Sequence, residues 1–107
     1  NDGYDHNYNL NGGSSLGKAP VIEIENGMRT HRLEVYTDYP GVQLYTGNSL
    51  RTNEADLGKG GKPFRYPQAL CLETQYPTNA MAHPEFPSII LMPNEKYNKT
   101  CIYKFIG

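Results

Sequence analysis

Apolar and polar residues alternate with a period of two along much of the chain, the pattern of strands that bury one face. Val21-Ile22-Glu23-Ile24-Glu25 alternates and then meets Asn26-Gly27, a dipeptide favoured in tight hairpin turns. Arg32-Leu33-Glu34-Val35-Tyr36-Thr37 resumes the alternation, so the two segments read as a hairpin whose connection residues 28–31 can widen. Tyr39-Pro40-Gly41 marks a turn; Val42-Gln43-Leu44-Tyr45-Thr46 is the next strand, stopped by Gly47-Asn48. Residues 51–65 place Gly58, Gly60, Gly61 and Pro63 among mixed charges and read as a long polar loop. Residues 69–75 form a further strand, and residues 76–87, with three prolines, are expected to be irregular. Ile89-Ile90-Leu91-Met92 reads as a strand, Pro93-Asn94-Glu95 as a turn, and Thr100–Phe105 as the last strand. No segment shows a sustained helical period with caps, and neither a domain boundary nor an internal repeat is visible.

The pattern predicts an all-β chain forming a portion of a large antiparallel β-sandwich. The set looks incomplete. The chain opens on a polar-aromatic cluster, Gly3-Tyr4-Asp5-His6-Asn7-Tyr8, with no element before it to support it. The segments 51–65 and 76–87 are long for a free-standing domain, and they suit a chain draped over a larger body.

Composition adds exclusions. The 107 residues carry a formal charge of −1 and 37% hydrophobic residues, a balance that argues against nucleic acid or an anionic membrane as the main partner. No apolar run approaches the roughly 20 residues of a membrane span. Asn1-Asp2-Gly3-Tyr4 lacks an initiator Met and the basic and apolar regions of a signal peptide. Nine Tyr with no Trp suit strand surfaces and sugar sites alike.

Candidate chemistry centres on Cys71-Leu72-Glu73-Thr74-Gln75. Glu73 fits two positions. It is either a wet-face residue of an alternating strand or, after the continuous run Ala69–Leu72, a carboxylate ending a strand buried on both faces. In the second position partial desolvation makes it a usable base. Cys71 and Cys101 lie beside apolar residues and read as buried free thiols, with a bridge open if their strands pair in register. His6, His31 and His83 are isolated and no metal-ligand spacing occurs. Asn98-Lys99-Thr100 matches a glycosylation sequon, which matters only in a secreted protein.

Five ordered blocks carry a resemblance. They are Gly3-Tyr4-Asp5-His6-Asn7-Tyr8, Leu33–Thr37, Pro40-Gly41-Val42-Gln43-Leu44-Tyr45-Thr46-Gly47-Asn48, Cys71-Leu72-Glu73-Thr74-Gln75 and Pro84-Glu85-Phe86-Pro87. In this order they resemble the C-terminal third of the aldose 1-epimerase (mutarotase) family, and Pro93–Phe105 is similar to that family's closing hairpin. The resemblance implies that residues 1–107 are the C-terminal part of one sandwich domain with sugar bound in a cleft on one sheet. It implies interconversion of aldohexose anomers without a cofactor, Glu73 being the catalytic base and Asp5 and Gln43 substrate-binding residues. The catalytic acid falls outside the matching blocks, so a companion chain carrying the N-terminal part of the domain is implied. The expected location is cytoplasmic, with secretion as the alternative. Without the resemblance, Asp5 beside Asn7 and Asn9 also suits turn chemistry, and Gln43 between Val42 and Leu44 suits a solvent-facing strand position. A non-catalytic sugar-binding or structural module on the same fold, or an inactive fragment, is the alternative, although retention of Glu73 favours the enzyme.

Overall fold

In the computed structural model, which describes residues 3–11, 16–50 and 57–107, the described residues form six strands in two antiparallel sheets. The strands are β1 (Asp5–Asn9), β2 (Ile22–Glu25), β3 (Arg32–Thr37), β4 (Gly41–Tyr45), β5 (Cys71–Gln75) and β6 (Cys101–Ile106). One sheet runs β1-β4-β5 and the other β2-β3-β6. Single turns of 3-10 helix occur at Lys59–Gly61 and Ala80–Ala82. Among the described residues no helix is long and apolar enough to cross a membrane. Of the predicted loop 51–65, the first six residues lie outside the described residues; the remainder holds a β-bridge between Leu57 and Pro63.

The β2–β3 connection is wider than Asn26-Gly27 alone would make it. Arg29 takes φ 55°, and Asn26 Oδ1 accepts hydrogen bonds from the Thr30 and His31 amides at 2.9 and 3.0 Å. The Asn side chain thus closes a six-residue loop by replacing the main-chain bonds of a two-residue turn. In β3 the register places Val35 between Ile22 and Tyr103, and Leu33 between Ile24 and Phe105. Strand alternation puts these residues with Thr37 on one face. Val35 is fully buried and Thr37 is 1% exposed, so the core sits against this face.

The opposite face of the same sheet carries charge. Glu34 is buried and accepts from Arg32 at 2.8 Å, Lys104 Nζ at 2.9 Å and the Tyr36 hydroxyl at 2.8 Å. The Lys104 hydrogen bond first, and the Tyr36 hydroxyl next, hold its carboxyl below the usual carboxylate range. A carboxylate whose pKa falls on folding adds stability above its unfolded pKa and loses it as pH drops. Glu34→Gln is therefore expected to narrow the gap in melting temperature between pH 7 and pH 3, read by thermal circular dichroism on the full-length protein.

Three expectations fail here. Ile89–Met92 pairs with no strand, and each of the four is about half exposed or more; an apolar run needs an adjacent strand to complete its ladder, and none of the described strands lies there. Pro93–Phe105 consequently forms no hairpin, since β6 pairs with β3. Cys71 and Cys101 are free but exposed rather than buried, because β5 and β6 are edge strands of their sheets.

The two sheets are tied at a few points. The Tyr103 hydroxyl donates to the Leu72 carbonyl. Within the β2-β3-β6 sheet, Asp38 accepts the Thr100 amide at 2.8 Å and Thr37 Oγ1 donates to the Thr100 carbonyl at 2.9 Å, which extends the β3–β6 pairing. Tyr39 hydrogen-bonds Tyr97, which pushes its hydroxyl pKa up to about 12, while Lys99 lies against the Tyr39 and Tyr76 rings. Among the described residues the buried apolar ones are few: Val35, Val42 and Ala80. The accessible surface is 8306 Å², against roughly 6,000 Å² for a compact monomer of this mass. The radius of gyration is 16.9 Å, against about 13 Å for a compact domain of about 100 residues.

Candidate functional site

β1 is a strand despite its composition. Asp and Asn are poor strand formers, and pairing with β4 overrides that preference. The register sets Asp5 opposite Tyr45, Asn7 opposite Gln43 and Asn9 opposite Gly41. β4 in turn sets Gln43 opposite Glu73 and Tyr45 opposite Cys71. Opposed residues of a sheet share a face, so Asp5, Asn7, Gln43 and Glu73 lie on one polar face of β1-β4-β5. His6, Val42, Leu44 and Leu72 occupy the other, and Val42 there is 4% exposed.

The start of β1 is clamped. Thr46 Oγ1 accepts the Tyr4 amide at 2.8 Å, the Thr46 amide donates to the Tyr4 carbonyl at 3.1 Å, and Asn48 Nδ2 donates to the same carbonyl at 2.9 Å. A Cβ at position 3 would overlap Asn48 Oδ1 and Thr46 Oγ1, so the close approach requires Gly3. Gly47 holds φ 69°, in the left-handed region that glycine adopts without strain. These contacts join two of the sequence blocks and position Asp5 beside β4. Gln43 Nε2 donates to Asp5 Oδ1 at 2.8 Å.

Glu73 sits mid-strand in β5 rather than at a strand end, and its side chain is exposed. The strand begins at Cys71 with alternating burial, so the apolar lead-in from Ala69 does not become a strand buried on both faces. The face as a whole is open. A depression of about 520 Å³ beyond the end of β1, lined by Asn9, Leu10, Lys18 and Pro20 among others, does not include Asp5, Gln43 or Glu73. Among the described residues no group of three or more His, Cys, Asp or Glu is arranged to hold a metal ion. The face carries two carboxylates, Asp5 and Glu73, and four carboxamides, Asn7, Asn9, Gln43 and Gln75, groups that suit a ligand rich in hydroxyls; the side-chain oxygens of Asn7 and Gln43 are buried. His83 pairs instead with Glu85 at 3.0 Å, and His31 with Thr30 at 3.0 Å.

A family model described as aldose 1-epimerase matches residues 1–104. The chain belongs to the aldose 1-epimerase family. Among its curated relatives, a rat protein named galactose mutarotase is 41% identical over 103 residues, covering 96% of this chain and 29% of the relative. The human protein of the same name is 39% identical over 104 residues, covering 97% and 29%. An aldose 1-epimerase of Escherichia coli K12 is 32% identical over 107 residues, covering 98% and 30%. The chain thus spans less than a third of the length of these aldose 1-epimerase relatives. Sequence reasoning missed Asn7, which shares the face of Asp5; reading residues 5–9 as a strand would have found it by its spacing of two.

Proposed function

We propose that the protein is an aldose 1-epimerase that interconverts the α and β anomers of aldohexoses. Residues 1–107 correspond in this reading to the C-terminal third of a single sandwich domain. The observation that carries it is the shared face of Asp5, Gln43 and Glu73 in a chain whose length is almost wholly matched by the family.

Glu73 takes the proton of the anomeric hydroxyl. The ring C–O bond breaks, the ring oxygen gains a proton from an acid, and an open-chain aldehyde forms. Rotation next to the carbonyl presents its other face, and the reverse transfers close the other anomer. No cofactor enters these steps. Asp5 accepts hydrogen bonds from sugar hydroxyls, and Gln43 Nε2, one hydrogen of which is bound to Asp5, offers its other hydrogen to a sugar oxygen. The acid, and the walls that turn the open face into a cleft, come from a companion segment carrying the N-terminal part of the domain. That segment also covers the exposed Ile89–Met92 and Phe105, the latter 79% exposed. A cytoplasmic location belongs to the same proposal, since the two free thiols suit a reducing compartment.

Asp5→Asn is expected to raise KM about 10- to 100-fold, the scale of a lost charge-assisted hydrogen bond. Its kcat should change far less. Both constants are read by polarimetry on freshly dissolved α-glucose or α-galactose with the full-length protein. If the unmutated protein binds sugar without speeding the approach to anomeric equilibrium, a non-catalytic sugar-binding module replaces this reading.

A further inference from the structure

We propose that Asn7 is a positioning residue of the sugar site that locks the Gln43 carboxamide in the orientation donating to Asp5; the proposal rests on the mutarotase reading of that site. The register sets Asn7, Gln43 and Glu73 in one row across three strands. Opposed residues hold their Cβ atoms about 4.5–5.5 Å apart, so the Asn7 and Gln43 carboxamides are neighbours. A carboxylate accepts and does not donate. The 2.8 Å bond from Gln43 Nε2 to Asp5 therefore dictates which end of the Gln43 amide faces Asp5 and turns Oε1 away from it. That oxygen is buried without a partner, and so is Asn7 Oδ1.

Two neighbouring buried oxygens without donors are costly, and turning one amide resolves the conflict. Asn7 is the one free to turn, because Gln43 is held by Asp5. Its surroundings favour the turn. Gly41 leaves open the space Asn7 fills: a Cβ there would come within 3.3 Å of Asn7 Oδ1, 3.1 Å of the Tyr8 carbonyl and 3.3 Å of the Gln75 carbonyl. The main-chain carbonyl oxygens of Tyr8 and Gln75 border the same space. A turned Asn7 puts its NH₂ there instead, with two hydrogens to share between a main-chain carbonyl and Gln43 Oε1. The result is a directed ladder, Asn7 to Gln43 to Asp5, that fixes the sugar-binding carboxylate from behind.

The test is a double-mutant cycle on the full-length protein. Asn7→Ala is expected to raise KM about tenfold with kcat changed by less than about twofold, the scale of one hydrogen bond to a charged-group ladder. In the Gln43→Ala background the same substitution should change KM by less than about twofold. Equal effects in both backgrounds, or an unchanged KM, overturn the proposal. The unmutated protein gives a second reading that does not depend on the variants folding. The Asn7 side-chain amide hydrogens should exchange with solvent slowly by NMR, and exchange at the free-amide rate overturns the lock. Absence of anomerisation on every aldohexose would overturn the mutarotase reading, while the Asn7 exchange rate would still decide whether the ladder exists.

Discussion

Glu73→Gln is expected to lower kcat for anomerisation by about 10²–10⁴-fold in the full-length protein, the usual contribution of a general base. Sugar affinity should stay within a few-fold. Gln keeps the shape of the side chain and can still hydrogen-bond a hydroxyl, but it has no basic oxygen to take a proton. Glu73 is mid-strand, opposite Gln43 and on the face that bears Asp5, so the substitution leaves the strand pairing intact. Polarimetry gives kcat and a sugar titration gives affinity. Full activity in the variant would remove Glu73 from the role of base.

Residues 1–107 expressed alone are expected to show no cooperative thermal or urea transition and to bind the dye ANS. The surface exceeds that of a compact monomer of this mass by roughly 2,000 Å², more than the roughly 1,000 Å² of a stable biological contact. The three buried apolar residues among the described ones are too few to offset the conformational entropy of ordering such a chain. Supplying the N-terminal part of the domain that the proposed function calls for, on the same or a second polypeptide, is expected to give a single sharp transition. A monomeric 107-residue chain that unfolds cooperatively would contradict this.

The alternating segments were legible: β2, β3, β4 and β6 fall within a residue or two of where period-two patterning puts them, although β6, paired with β3, leaves five of its six residues exposed. β1 was hidden. Its Asp-His-Asn-Tyr-Asn composition disfavours a strand, and it exists through its ladder with β4 and the Thr46–Asn48 clamp on Tyr4. Ile89–Met92 misled in the other direction, since an apolar run signals burial but cannot name the partner that provides it. Ala69–Leu72 misled for the same reason: an edge strand keeps one side open whatever its composition. Asp5, Gln43 and Glu73 were picked out by the ordered blocks, and their common face follows from a register that no local pattern encodes. Asn7 went unread because its position depends on β1 being a strand.

The central claim is that this chain supplies base and binding groups to a site that opens and closes aldohexose rings. Two-dimensional NMR exchange spectroscopy on galactose at anomeric equilibrium tests it most directly, using the full-length protein and its Glu73→Gln variant at equal concentration. The account predicts exchange cross-peaks between the α and β anomeric protons with the unmutated protein and their near-complete loss with the variant. Bound galactose without exchange cross-peaks in the unmutated protein, or cross-peaks of equal intensity in the variant, would contradict it.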